Sequence, residues 1–267
     1  MIKWIQLTSS HNDQVKKWKK LHTRKGRSQM QSLLIEGEHL LMEAIHSKIP
    51  IHAILIDMEK KEWATHLLGD HSVRTHYYEL PTALFQSIME TESPQGIAAI
   101  IEMPKGSLDQ LMAQTRSEST YLLLDAIQDP GNLGTIMRTA EAAGVTGLCL
   151  GKGTVDPFNS KVVRSAMGSI FRLPLVQGDL AEIIAQLKEH HVTIIGTSPH
   201  AGTSHFQYRF PDHVAILLGN EGRGVDPSLE SLVDAEVMIP MPGRTESLNV
   251  SITSAILVYE RVRQQFG

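Results

Sequence analysis

Cysteine is nearly absent from this chain of 267 residues. Cys149 stands alone, which excludes an intramolecular disulfide framework and any structural zinc site built on several cysteines. It sits in GLCL, residues 147–150, a short apolar run that reads as a buried strand, so it is expected to pack rather than react. Long hydrophobic runs are missing too: nothing approaches the roughly 20 apolar residues that a bilayer requires. The first ten residues lack an apolar stretch followed by a small-residue cleavage site, so the expectation is a cytoplasmic protein without membrane contact. The formal net charge is only −4, which argues against a uniformly basic coat for nucleic acid and leaves local patches open. The 13 histidines fall without H-x-H or H-E-x-x-H spacing, so no metal site is expected. Internal repeats and low-complexity segments are also lacking.

What is present is a globular composition, 42% hydrophobic and 20% charged, over a length that suits two domains. Residues 3–27 carry Lys16, Lys17, Lys19, Lys20, Arg24, Lys25 and Arg27 against Asp13 alone. Such a cluster is either a solvated helix face or an arm that gains by releasing counterions from a nucleic-acid backbone. From Ser32 onward, strand-like and helix-like runs alternate: SLLIE, GEHLLMEAIHS, IHAILID, EKKEWATHLLG, VRTHYY, PTALFQSIME and GIAAIIE. That alternation predicts an α/β domain over residues 1–103. Residues 104–119, polar and holding Pro104 and Gly106, read as a linker.

The second half, residues 120–267, repeats the rhythm with cleaner elements. TYLLLDA is followed by a turn at 128–132 and a helix with Leu133, Ile136, Met137 and Ala140 on one face, stopped by Gly144. Further strands are expected at GLCLG, RLPLVQ, VTIIGTS, VAILLGN and AEVMIPM, and a last helix at about 248–264 with Val250, Ala255, Ile256, Val258 and Tyr259 mostly buried. The class is α/β with a mostly parallel sheet. Two glycine-rich spots fail as nucleotide-binding motifs. GLCLGKG is one residue short of a phosphate loop and ends on Gly153 where Ser or Thr is needed, and GNEGRG lacks the G-x-G-x-x-G spacing.

Three polar, glycine-bearing segments remain, each at or just after a predicted strand end, where α/β sheets gather ligands. They are residues 125–140 (DAIQDPGNLGTIMRTA), 218–225 (LGNEGRGV) and 239–251 (IPMPGRTESLNVS). In this order they resemble the three signature motifs of the SpoU, or TrmH-like, family of RNA ribose methyltransferases, and residues 161–171 also look like that family. The first half is similar, more weakly, to a small RNA-binding domain of L30e-like fold, through residues 34–41 and 93–97. The resemblance implies a SPOUT-type parallel sheet with a deep trefoil knot, S-adenosylmethionine as cofactor, a homodimer and structured RNA as substrate. Ribosomal RNA is favoured by the two-domain layout. A transfer RNA substrate, or a silent RNA-binding protein of the same fold, stays open.

The resemblance also assigns residues. Arg138 is implied as the central catalytic residue, with Asn132, Glu221, Ser247 and Asn249 around it. Cofactor contacts are implied at Thr197, Leu218, Gly219, Asn220 and Gly222, and at Ile239, Met241, Leu248 and Asn249. Chemistry makes these sensible. Methyl transfer from sulfonium to oxygen is an in-line displacement, so the protein must align the partners and exclude water. A guanidinium stays protonated, so Arg138 suits a bidentate clamp on the substrate phosphate better than a base. The proton acceptor is left among that phosphate, Glu221 and water. Asn132 and Ser247 could instead be helix caps. RNA contacts are expected from Lys16, Lys17, Lys20, Arg24, Lys25 and Arg27, and from Arg164 and Arg244.

Overall fold

In a computed structural model of the protein, the structure describes residues 2–69, 75–113 and 117–266. The chain divides into two compact units, Met1–Pro104 with Phe158–Phe171, and Lys105–Pro157 with Arg172–Gly267.

The first unit runs β1 (Trp4–Gln6), α1 (Asp13–Lys20), α2 (Arg24–Met30), β2 (Ser32–Glu36), α3 (Glu38–His46), β3 (Ile51–Asp57), α4 (Lys61–Gly69), β4 (His76–Leu80), α5 (Thr82–Gln86) and β5 (Ile97–Glu102). Its sheet has the order β1-β4-β3-β5-β2 and is mixed: β1, β4 and β3 are parallel, while β5 runs antiparallel to β3 and β2. Strand β1 has no alternating pattern and was not expected. The strand expected from residue 73 is β4, and Val73 and Arg74 lie outside the described residues. Val15, Trp18 and Leu21 of the α1 region pack with Leu55, Leu80 and Phe85 to form the core on one sheet face.

One expected RNA contact must be withdrawn. Arg27 is buried, and its Nη1 donates to the carbonyls of Leu21 and His22, each at 2.9 Å. These are carbonyls at the end of α1 that the helix itself leaves without donors, so this cation is committed to joining α1 and α2.

The chain continues through α6 (Leu108–Met112), β6 (Ser119–Leu124), α7 (Pro130–Ala142) and β7 (Gly147–Leu150), and then α8 (Ser160–Ala166), which belongs to the first unit. It returns as β8 (Leu175–Gln177), α9 (Leu180–Glu189), β9 (Thr193–Thr197), β10 (His213–Leu218), α10 (Pro227–Glu230), β11 (Ala235–Val237) and α11 (Val250–Phe266). Two expectations change here. The stretch read as linker holds α6, because Ser107 and Gln110 form a reciprocal capping box and Leu111 is buried in the second core; residues 114–116 lie outside the described residues. The 161–171 run, expected with the second half, packs in the first unit through buried Val162, Val163, Ala166 and Ile170.

The second sheet has the order β11-β9-β10-β6-β7-β8, and every pairing is parallel. Its central strands are apolar on both faces, as a parallel sheet covered by helices demands. From β6 the chain steps to β7 and β8 on one side, while β9, β10 and β11 fill the other. The C-terminal ends therefore converge at a switch in strand order, the usual position of a ligand crevice. The apolar run AEVMIPM leaves the sheet at Val237, since Pro240 and Pro242 have no N–H to give to a ladder. Residues 239–241 are thereby freed from sheet pairing. Burial pushes the Cys149 thiol up to about 12, so it stays protonated and inert.

Helix α11 carries a pH-sensitive contact. Glu260 accepts hydrogen bonds from Arg263 and Gln264, which hold its carboxyl down from 4.5 to about 2 despite burial. A depressed carboxyl stabilises the fold above its unfolded value and ceases to do so as pH falls through its folded value. Melting temperature should therefore decline on acidification from about pH 4.5 to 2. The Glu260→Gln protein should melt lower at pH 7 and show a shallower decline in the same scan. Tyr259, expected to be buried, is 49% exposed. Among the described residues no helix is long and apolar enough to cross a membrane, and no group of three or more His, Cys, Asp or Glu gathers as a metal site.

Candidate active site

The site grows from the loops after β6, β9, β10 and β11. After β6, Asp129 caps α7 by accepting from the Asn132 backbone N–H at 2.8 Å, with Pro130 at the first helical position. Asn132 is therefore not the cap, and its side chain works sideways. After β10 the chain makes a tight loop in which Asn220 and Gly224 exchange backbone hydrogen bonds at 2.8 and 3.0 Å. A Cβ on Gly219 would collide with the backbone of Gly224 and Val225, so glycine is required for the loop to close.

Asn220 holds this loop and the neighbouring one together. Its Oδ1 accepts from the N–H groups of Gly222 and Arg223 at 3.0 and 3.1 Å, and its Nδ2 donates to the Ala126 carbonyl at 2.7 Å. Ala126 adopts φ +52°, a conformation costly for a residue with a Cβ, so this bond supports strained backbone. A second tie runs from the Asp226 N–H to Asp125 Oδ2 at 2.8 Å.

Glu221 and the two asparagines then link all three segments. The Glu221 carboxylate accepts from the N–H groups of Gln128 and Asp129, both at 3.2 Å, and from Asn132 Nδ2 at 3.1 Å. Asn132 Oδ1 accepts from Asn249 Nδ2 at 2.9 Å. Asn249 Oδ1 accepts from the N–H and hydroxyl of Ser251, so Asn249, rather than Ser247, caps α11. Burial opposes ionisation of Glu221, but hydrogen bonds from Asn132 and the backbone prevail and hold its carboxyl below the usual range. A carboxylate so engaged is a weak proton acceptor and a strong clamp. Replacing Glu221 by Gln puts an NH2 group where an acceptor is needed; methylation is expected to fall about 10-fold or more, with thermal stability lowered alongside it. A variant with unaltered stability and turnover would contradict the clamp.

Beside this network lies a cavity of about 320 Å³. Leu218, Ile239, Met241 and Leu248 line it with apolar surface, and Thr197 and Ser247 add hydroxyls. Gly219, Asn220, Gly222 and Asn249 complete the expected set, so all the residues expected to touch cofactor line one cavity. Its volume, its apolar walls and the backbone groups left at strand ends fit a nucleoside-sized ligand. Sequence reasoning missed Val250, Thr253 and Leu257, which α11 presents to the cavity, and Ser198, Pro199 and Val225. Helical spacing from Val250 could have found the first group; nothing local marks the second. It also missed Asp125 and Asp129, although Asp-Pro before a helical pattern is a capping signal.

The expected catalytic residues do not all meet. Asn132, Glu221 and Asn249 are joined by hydrogen bonds, and Ser247 lines the cavity, whereas Arg138 lies outside the lining, exposed on α7. It is six residues beyond Asn132, about 9 Å along the helix. Lys16, Lys17, Lys20, Arg24, Lys25, Arg164 and Arg244 are exposed.

The family model of the SpoU rRNA methylases matches residues 119–259, the whole span in which these loops converge. The chain belongs to the SpoU rRNA methylase family. Residues 12–99 match the MRM3-like substrate-binding domain. The chain is 42% identical to the 23S rRNA (guanosine(2553)-2′-O)-methyltransferase RlmP of Bacillus subtilis, over 95% of its own length and 98% of the relative's. It is 30% identical to the 23S rRNA (uridine(2479)-2′-O)-methyltransferase of Streptomyces viridochromogenes, covering 97% and 92%. The crystal structure of the SpoU methyltransferase AviRb from the same organism, in complex with the cofactor AdoMet, superposes with a TM-score of 0.87 at 30% identity, covering 96% of this chain and 99% of that one.

Proposed function

We propose that this SpoU family enzyme methylates a ribose 2′-hydroxyl in 23S ribosomal RNA, with S-adenosylmethionine as donor. The observation that carries the reading is the convergence of the three polar segments on one nucleoside-sized cavity through the Glu221–Asn132–Asn249 hydrogen bonds. The near full-length likeness to RlmP supports ribosomal over transfer RNA. A ribosomal substrate in turn supports a cytoplasmic setting.

When bound, the cofactor supplies an electrophilic methyl group on a sulfonium. Leu218, Ile239, Met241 and Leu248 would wall its adenosine and exclude water, and the backbone near Gly219 would come close to it. Arg138 clamps a phosphate next to the reactive ribose and so orients the hydroxyl oxygen. Because Glu221 already accepts from the N–H groups of Gln128 and Asp129 and from Asn132, the hydroxyl proton goes to that phosphate or to water. Mapping ribose methylation on total RNA from cells with and without the gene tests the reading. One 23S position should lose its methyl group; loss confined to transfer RNA would reassign the substrate.

The enzyme works as a homodimer in this reading. Ile252, Tyr259 and Phe266 repeat every seventh residue along α11 and are 49%, 49% and 89% exposed, an apolar stripe that a second copy would cover. Ile252→Glu with Tyr259→Glu should sediment as a monomer where the parent protein sediments as a dimer.

A further inference from the structure

The first unit contains a groove of about 220 Å³ at the end of its sheet where β3 and β4 begin. Ala53, Ile100 and Tyr78 form its floor, and Trp18 and Met30 stand at its side. The small side chain of Ala53 is what leaves the space, since its neighbours on this face are Leu55, Tyr78 and Ile100. Trp18 and Tyr78 meet edge to face at 5.1 Å, and His76 lies 6.3 Å from Tyr78. The register of β3 against β5 shifts between Ile51 and Ala53, so His52 sits at the irregularity and also lines the groove. Bulges of this kind re-aim a side chain and gather near functional sites.

One cation, Lys17, stands in the groove's lining. Gln14, Lys17, Trp18 and Leu21 follow helical spacing along one stripe of α1 and all line the groove. Among the described residues no carboxylate pairs with Lys17, Lys20, Arg24 or Lys25, whereas Lys16 stands 3.5 Å from Asp13. An unpaired cation, Lys17, beside the half-buried Tyr78 ring and the exposed His76 imidazole forms the combination that binds single-stranded nucleic acid: charge on the phosphate, a ring on the base.

We propose that this groove seats one unpaired nucleotide of the RNA substrate, its base against Tyr78 and His76 and its phosphate on Lys17. The inference rests on the RNA-methylating reading and adds to it how the first unit selects an unpaired rather than a helical segment.

The test uses the full-length protein and a short single-stranded oligoribonucleotide of mixed sequence carrying 4-thiouridine. Lys17→Glu and His76→Ala change exposed residues, and Lys60→Glu supplies the same charge change away from the groove. Each groove variant should raise Kd for the oligonucleotide and KM for ribosomal RNA about 10-fold, leaving kcat and S-adenosylmethionine affinity unaltered, while Lys60→Glu matches the parent. Photocrosslinks should map to peptides holding Trp18, His76 or Tyr78. A loss with Lys17→Glu but not His76→Ala would mean charge alone and would overturn the base seat, as would crosslinks lying wholly elsewhere. A parent protein that binds the oligonucleotide through the groove but methylates no RNA would sink the proposed function and leave the groove standing.

Discussion

Arg138→Lys should lower single-turnover RNA methylation on the order of 100-fold, with S-adenosylmethionine affinity unaltered. Lysine keeps the charge but loses the planar fork that grips two oxygens at once. The insensitivity of cofactor binding follows from position, because Arg138 lies outside the cavity lining and makes no hydrogen bond among the described residues. A structural role would instead cost stability, and an exposed helical side chain without a partner has little to lose. Isothermal titration with the cofactor, set beside rapid-quench methylation of ribosomal RNA, separates these outcomes. If binding and turnover fall together, or if turnover is retained, the phosphate clamp is wrong.

The second large effect is expected at Gly219. Its absent Cβ is the space that the backbone of Gly224 and Val225 occupies, and neither can retreat as a flexible side chain would. Gly219→Ala must therefore open the loop and disturb the Asn220–Gly224 backbone pair. Overpacking of this kind costs about 1–3 kcal/mol, which should appear as a lowered melting temperature. The loop also carries Glu221 into place, so S-adenosylmethionine binding should become undetectable by calorimetry at concentrations that saturate the parent protein. Gly222→Ala is the contrast, because a Cβ there meets only Asn220 Oδ1 at 3.7 Å. It should bind cofactor nearly as the parent does.

Much of this was legible in the chain because the relevant signals are local. Strands β2, β3 and β6 announce themselves as apolar runs between turn residues, and α7 by Leu133, Ile136, Met137 and Ala140, all buried. The cavity residues were legible for another reason: polar, glycine-bearing loops after apolar strands are unusual enough to match a family pattern. What stayed hidden depends on contacts distant in sequence. Nothing local in Arg27 distinguishes a cation turned onto the carbonyls of α1 from its solvent-facing neighbours. The mixed character of the first sheet depends on where β5 inserts, which periodicity does not encode. Glu221 read as a possible base, and only the positions of Gln128, Asp129 and Asn132, some 90 residues earlier in the chain, make it a clamp.

The hydrogen bond between Asn249 and Asn132 spans 117 positions in the chain. Its consequence is temporal. During synthesis the loops after β6, β9 and β10 emerge before residues 239–257 do. The cavity wall that α11 and its preceding loop supply is thus made after the loops it faces. A nascent chain interrupted before Asn249 lacks Asn249, Val250, Thr253 and Leu257, which close this cavity. Catalytic competence in this way waits on residues synthesised after the three loops that they close.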